Sequence, residues 1–430
     1  MNWVSSRGGS PPVPFIDALF AGTAPDGGLY MPERLEPLSP DQLAAIRTAG
    51  GDIVEIGTIV GAHLLRDEIS AVDMRALVRD ALDFPIPLAP VTGNIWVLEL
   101  FHGPTMAFKD VGARTQARLL HHFTDGTPLT ILVATSGDTG SAVAQAFHGV
   151  PDTRVVVLYP EGKVTDVQEA QMASLGDNIV AVAVHGTFDD CQRLVKQAFA
   201  DDDLRSHVWL TPANSINLGR LLPQVFYYFV LASLGPATVS VPSGNFGNLT
   251  AGLIAKRIGL PVERFVAATN VNDVVPEYLR TGEYKPRASV KTVANAMDVG
   301  APSNFERMRA MYGESFDALR CDIVGAAFND EAVVAEIRDV WERHRYLLDP
   351  HAAIAWLGLR EVLATDQPEG AGVFLATAHP AKFREVVEPA IGQSIPLPPA
   401  LAAAIERPRH SERLPVDYSV LKKLLLAQSR

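Results

Sequence analysis

Ile131-Leu132-Val133-Ala134-Thr135-Ser136-Gly137-Asp138-Thr139-Gly140-Ser141-Ala142 opens apolar, breaks into a short polar turn with two glycines, and resumes with small residues. The apolar run reads as a buried strand and the turn as the start of a helix. A second stretch, Val239-Ser240-Val241-Pro242-Ser243-Gly244-Asn245-Phe246-Gly247-Asn248-Leu249, has the same plan: strand, Ser-Gly-(Asp/Asn)-x-Gly, helix. Strand-to-helix turns favour Gly, Ser, Asp and Asn for local reasons alone. Two similar α/β units with a ligand in the cleft between them would also produce the match.

Outward from these stretches, short apolar runs alternate with helical patterns. Strands are expected at residues 95–100, 129–134, 154–159, 179–184, 238–241, 264–268 and 373–376. Continuous apolar strands separated by helices indicate parallel sheets covered on both faces, an α/β class. Residues 225–234 are the most apolar stretch; they are too short to span a bilayer and read as a buried helix. Phe84-Pro85-Ile86-Pro87-Leu88-Ala89-Pro90 carries too many prolines for a helix or a central strand and reads as a connector. The expected organisation is a mixed α+β subdomain at 1–95, a first α/β domain at 96–235, a second at 236–395 and a tail or helix at 396–430. No low-complexity tract or short repeat interrupts it.

The chain has 430 residues and a formal charge of −12, which argues against a nucleic-acid or anionic-membrane binder. Two cysteines, Cys191 and Cys321, exclude a disulfide scaffold and a cysteine-rich metal site; both are expected to be buried small hydrophobes. The first ten residues lack the apolar core of a secretory signal, so a cytoplasmic location is expected.

Chemistry concentrates in a few places. Glycine turns at helix starts are anion sites, because backbone N–H groups converge there and the helix dipole is positive. Ser243 to Asn248 is the better of the two turns, with two glycines and two polar caps. Neither turn is a Walker loop or a Gly-x-Gly-x-x-Gly motif, so a single phosphate fits better than a nucleotide. Lys109 follows an apolar stretch near an expected helix start. Desolvation and the positive helix end both lower a lysine's pKa there, as a Schiff-base lysine requires. Pairing with Asp110 or snorkelling to water is the competing account. Thr377 ends an expected strand, where open α/β sheets place ligands. No His-Glu-x-x-His, clustered metal spacing or Gly-x-Ser-x-Gly elbow occurs, so no metal is expected and a serine hydrolase is disfavoured. His102 and His379 read as structural.

These residues together resemble threonine synthase, the pyridoxal 5′-phosphate (PLP) family of bacteria and fungi on the tryptophan synthase β-subunit fold. The likeness rests on Ser6-Arg7-Gly8, Ala24-Pro25-Asp26-Gly27-Gly28-Leu29-Tyr30-Met31-Pro32-Glu33, His102-Gly103-Pro104-Thr105 through Phe108-Lys109-Asp110, and Thr135-Ser136-Gly137-Asp138-Thr139-Gly140. It continues through Asn214-Ser215-Ile216-Asn217, the 242–248 turn, Asn295-Ala296-Met297-Asp298-Val299-Gly300, Pro302-Ser303-Asn304-Phe305-Glu306-Arg307, Leu348-Asp349-Pro350-His351 and Ala376-Thr377-Ala378-His379-Pro380-Ala381-Lys382-Phe383. The motifs span nearly the whole chain in the family's order. Two places depart from the pattern: Ala352-Ala353 where a glycine is expected first, and Thr165-Asp166 where Ser-Pro is expected.

The resemblance implies two open, twisted, mostly parallel sheets flanked by helices. It implies PLP bound covalently to Lys109, its phosphate held by Gly244, Asn245, Phe246, Gly247 and Asn248, and Thr377 facing the pyridine nitrogen. The implied reaction converts O-phospho-L-homoserine and water to L-threonine and phosphate. Asp138 lies in the loop that contacts substrate and the cofactor face in relatives. Candidates for holding the substrate are Thr105, Ser136, Asp138, Thr139, Asn217, Arg220, Ser303, Asn304 and Arg307. No protein partner is implied. The competing readings are a phospho-amino-acid lyase or threonine dehydratase-like enzyme releasing 2-oxobutyrate, a non-catalytic homologue, and a phosphate-sugar binder without PLP.

Overall fold

The computed structural model describes residues 1–135, 137–366 and 369–427. Near the N-terminus, Trp3–Ser5 pairs antiparallel with Tyr30–Pro32. Helices Pro40–Thr48, Ile53–Leu64 and Ala71–Ala81 follow, each started by a side chain that accepts backbone N–H groups: Ser39, Asp52 and Ser70.

Two sheets carry the rest. The six-stranded sheet runs in the order Ile323–Ala327, Val262–Thr269, Ala237–Pro242, Ala371–Ala376, Ile95–Glu99, Leu88–Thr92. Its pairings are parallel except the last. The five-stranded sheet runs Glu412–Leu414, Ile179–Val184, Thr153–Pro160, Leu129–Ala134, Leu210–Thr211, all parallel. The α/β class and the two-sheet architecture stand as the sequence indicates. Each sheet is buried on both faces with the period of two that strands impose. Val239, Val241, Val373 and Leu375 join one core, while Phe374, Ala376 and Val97 join another. Likewise Ile131, Val133 and Val155 face one way and Leu132, Val156 and Leu158 the other.

The structure corrects several expectations. Leu88–Thr92, inside the expected connector, is a strand; it lies at the sheet edge, where Pro90 costs no ladder bond on the open side. Ile95–Glu99, placed at the head of the 96–235 segment, joins the other sheet through Ala371–Ala376. That pairing is long-range and has no local signature. Ile323–Ala327, Leu210–Thr211 and Glu412–Leu414 are strands that the apolar runs do not mark. The 396–430 segment folds back, adding Glu412–Leu414 to the five-stranded sheet and packing helix Tyr418–Ala427 against Phe188–Ala200. Cys191 is buried, but Cys321 is exposed, on the helix Phe316–Asp322. Residues 225–232 are buried, in a short helix Gln224–Tyr228 that tightens into a 3-10 turn at Phe229–Ser233. Thr165 caps the helix Asp166–Ala173 reciprocally with Gln168, and Ala352 and Ala353 are buried in the helix Pro350–Asp366. Among the described residues no helix is long and apolar enough to cross a membrane.

Candidate active site

Both glycine turns sit at the C-terminal ends of strands, one in each sheet. After Leu129–Ala134 the Thr135 hydroxyl accepts the N–H groups of Gly137 and Gly140 at 3.0 and 2.9 Å. Ser136 lies outside the described residues. Helix Asp138–Phe147 then begins. A Cβ at Gly140 would stand 2.4 Å from the Thr135 methyl, so this turn accepts only glycine without displacement.

After Ala237–Pro242, Phe246 takes φ 62°, a left-handed conformation unfavourable for a large aromatic residue, and helix Gly247–Arg257 follows. The N–H groups of Asn245, Phe246 and Gly247 find no acceptor among the described residues. Asn248 is buried; its Oδ1 accepts the hydroxyls of Tyr227 and Tyr228 at 2.7 Å, while its Nδ2 is buried without a partner. Unclaimed donors at a helix N-terminus are what a phosphate requires.

Lys109 is the first residue of helix Lys109–Phe123. The segment before it is pinned to the end of Ala371–Ala376. The Phe108 N–H donates to the Thr377 carbonyl at 2.9 Å, and His379 N–H donates to the Met106 carbonyl at 3.1 Å. Lys109 and Thr377 are thereby brought to the same place from opposite halves of the chain. The Lys109 amine is half-buried, 4.8 Å from the Phe108 ring centroid, with no carboxylate partner among the described residues. Burial lowers its pKa; Asp138 opposes this, and Lys382 and Arg220 add to it. Asp110 does not pair with Lys109. It accepts the Thr105 N–H and hydroxyl at 2.9 and 2.6 Å, and burial pushes its pKa up to about 6.

Asp138 opens its helix fully buried and pairs with Lys382, 2.7 Å from Nζ to Oδ1; Gln168 Nε2 donates to the same oxygen at 3.1 Å. Burial works to raise the Asp138 pKa, and Lys382 and Lys109 outweigh it, so the carboxyl stays ionised. Lys382 also donates to the Thr105 carbonyl at 2.9 Å. Lys382 lies within the 376–383 motif, and the resemblance gives it no role. Its signal is its place: a lysine in the polar turn after an expected strand, where open α/β sheets place ligands.

The other candidates divide by what their polar atoms already do. Arg220 is 3% exposed and donates through Nη1 to the Ala213 carbonyl at 2.7 Å. Its Nε is buried without a partner, and burial pulls its pKa down to about 10. The guanidinium lies against Gly112, one turn beyond Lys109; a Cβ there would be 3.3 Å from Nε. Thr139 is half-buried at the start of its helix, and no described residue bonds its hydroxyl. Asn217 is consumed by the carbonyls of Leu19 and Pro212 and the Gly219 N–H. Thr105 is committed to Asp110, and Ser303 is exposed. Asn304 and Arg307 are buried and bonded to each other, 2.6 Å from Nη1 to Oδ1.

PLP fits this arrangement: unclaimed amides and an orphaned amide nitrogen for a phosphate, a half-buried lysine for an aldehyde, and the Thr377 hydroxyl at a strand end.

The chain matches a family model described as pyridoxal-phosphate dependent enzyme over residues 84–377. It also matches models described as threonine synthase N terminus over 2–82 and threonine synthase, C-terminal, over 352–425. The threonine synthase of Escherichia coli (strain K12) is 45% identical over 420 residues, 96% of either chain. The crystal structure of threonine synthase from Escherichia coli superposes with a TM-score of 0.92 at 43% identity, covering 99% of this chain and 100% of that one. PLP-bound threonine synthase from Brucella melitensis gives 0.93 at 37% identity, covering 100% of both.

Proposed function

The chain belongs to the threonine synthase family of PLP-dependent enzymes, and from that membership we propose that it converts O-phospho-L-homoserine and water to L-threonine and phosphate. The observation that carries the reading is the meeting of Lys109, half-buried and free of any described carboxylate partner, with the end of the Ala371–Ala376 strand at Thr377.

PLP, when bound, supplies the electron sink for carbanion chemistry beside the substrate amine. Lys109 would hold the cofactor aldehyde and, as a neutral amine, would take the proton from the substrate α-carbon. Its depressed pKa suits a base that must be neutral to act. The same amine is positioned to move the protons that accompany phosphate loss from the γ-carbon and water addition at the β-carbon. The turn at Gly244, Asn245, Phe246, Gly247 and Asn248 holds the cofactor phosphate. Thr377 offers the pyridine nitrogen a neutral hydroxyl, which does not hold that nitrogen protonated as a carboxylate would.

Arg220 is the leading ligand for the substrate phosphate, since its charge lacks a carboxylate partner among the described residues and its donors are largely unspent. Thr139 joins it at the helix start. Asp138, held ionised by Lys382, faces Lys109 as a fixed negative charge. Thr105, Asn217, Asn304 and Arg307 serve as scaffold, their polar groups being engaged by protein. The enzyme acts on a small molecule, and two unpaired cysteines fit the reducing conditions of a cytoplasmic location.

The test is a product assay on the purified holoenzyme with O-phospho-L-homoserine, quantifying threonine, 2-oxobutyrate and phosphate together beside Lys109→Ala. Threonine and phosphate in equal amounts, lost in the variant, support the reading. Phosphate with 2-oxobutyrate in place of threonine moves the chain to a lyase.

A further inference from the structure

Arg307 is 1% exposed and forms no ion pair among the described residues, yet three of its N–H groups are spent. Nε donates to the Tyr30 carbonyl at 2.8 Å, Nη1 to Asn304 Oδ1 at 2.6 Å, and Nη2 to the Ile216 carbonyl at 2.5 Å. The acceptors belong to three separate stretches: the N-terminal hairpin, the 214–217 turn and the first turn of the helix Asn304–Met311.

Asn304 passes this geometry on. Its N–H donates to the Asn245 carbonyl at 3.3 Å, and its Nδ2 reaches the Ser215 carbonyl at 3.4 Å. The adjacent Ser303 N–H donates to Asn245 Oδ1 at 2.6 Å, and Asn245 Nδ2 donates to the Ser215 hydroxyl at 2.6 Å. A Cβ at Gly247 would lie 3.3 Å from Asn304 Nδ2, so the turn is packed directly on that amide. The Asn245 side chain and carbonyl are thus engaged by protein, while its N–H and those of Phe246 and Gly247 stay free.

We propose that Arg307 is a positioning residue for the cofactor phosphate: through Asn304 and Asn245 it fixes the turn whose N–H groups converge on that phosphate, and it ties the turn to the N-terminal hairpin. The proposal rests on the reading of residues 244–248 as the phosphate turn. A planar guanidinium serves three divergent acceptors at once; a lysine, a point charge on a flexible stem, does not. Arg307 therefore governs how well the chain recognises the phosphate of PLP without touching it.

The experiment titrates apoenzyme with PLP and with pyridoxal, which lacks the phosphate, reading the visible absorbance of the bound cofactor. Wild type, Arg307→Lys, Asn304→Ala and the double variant are compared. Each single variant is expected to weaken PLP at least about tenfold, the scale of one lost charge-assisted hydrogen bond. The double variant should be no weaker than the worse single one, and pyridoxal affinity should be unchanged. Equal loss for PLP and pyridoxal, or no loss for either, overturns the proposal. So does a raised KM for O-phospho-L-homoserine with PLP affinity intact, which would make Arg307 a substrate ligand. Should Arg307→Lys fail to fold, Asn304→Ala decides by the same criteria. Wild type that holds PLP no better than pyridoxal would instead refute the phosphate turn itself.

Discussion

Lys382 and Asp138 form an ion pair whose side chains are 1% and 3% exposed, joining a turn after the six-stranded sheet's Ala371–Ala376 to the helix that follows Leu129–Ala134 of the five-stranded sheet. The pair is the charged fastening between the two halves of the site, with Lys109 beside it. Asp138 pairs directly with Lys382 and acts on Lys109 through its field, opposing the lowering that burial imposes.

Lys382→Met removes one partner and strands Asp138 in the protein. Breaking a buried pair this way costs about 3–5 kcal/mol, because the remaining charge is uncompensated. Denaturant unfolding of the variant should show a loss of that size. Adding Asp138→Asn to the same chain should recover part of it. A loss below about 1 kcal/mol, the scale of a surface pair, would contradict the structure.

Arg220→Lys keeps the charge and loses the planar fork. With Arg220 on the substrate phosphate, kcat/KM should fall about 10- to 100-fold, the worth of one or two charge-assisted hydrogen bonds. The absorbance of the bound cofactor should not change. Steady-state kinetics beside a PLP titration separates the two effects.

Asp110 gives a pH dependence with a definite sign. Its folded pKa, pushed up to about 6, lies above its unfolded value of 3.8. A group raised on folding contributes stability that is complete below pH 4 and is lost as pH rises through about 6. The shift of about two units is worth about 3 kcal/mol. Between pH 4 and pH 7 the wild type should therefore lose about that much relative to Asp110→Asn. Parallel curves for the two proteins across that window would show that Asp110 is not held neutral.

Gly140→Ala drives a methyl into the Thr135 side chain and to within 2.6 Å of the Met172 sulfur. Overpacking of this kind costs about 1–3 kcal/mol. Part of the strain can relax by moving Thr135, whose hydroxyl holds the turn, so thermal unfolding and PLP affinity should fall together. A stable variant with weakened PLP would place the strain in the turn alone.

The parts of the fold legible in the sequence are those where burial is two-sided. Leu129–Ala134, Ile179–Val184 and Ala371–Ala376 are apolar throughout except for Thr130, because helices cover both faces. Leu88–Thr92, Glu412–Leu414 and Ile323–Ala327 are edge strands with half-buried or exposed residues, so none carries that run. In the site, motif spacing located the two turns and the helix start at Lys109. It could not tell Arg220 from Arg307. Both arginines are buried, and their acceptors, drawn from Tyr30, Ile216 and Asn304 in one case and from Ala213 alone in the other, separate them.

Strand Ala371–Ala376 lies between Ala237–Pro242 and Ile95–Glu99 in the six-stranded sheet. On the ribosome this order imposes a wait. The hairpin of Leu88–Thr92 and Ile95–Glu99 emerges early, yet its inner neighbour begins 272 residues later, about 14 to 55 s at ordinary elongation rates. Until then the sheet exists as two unjoined pieces, and residues 106–108 have no Thr377 or His379 to lean on. Lys109 reaches its working position only after Thr377 and His379 have been made, so a nascent chain stalled before residue 371 holds both glycine turns and no assembled site.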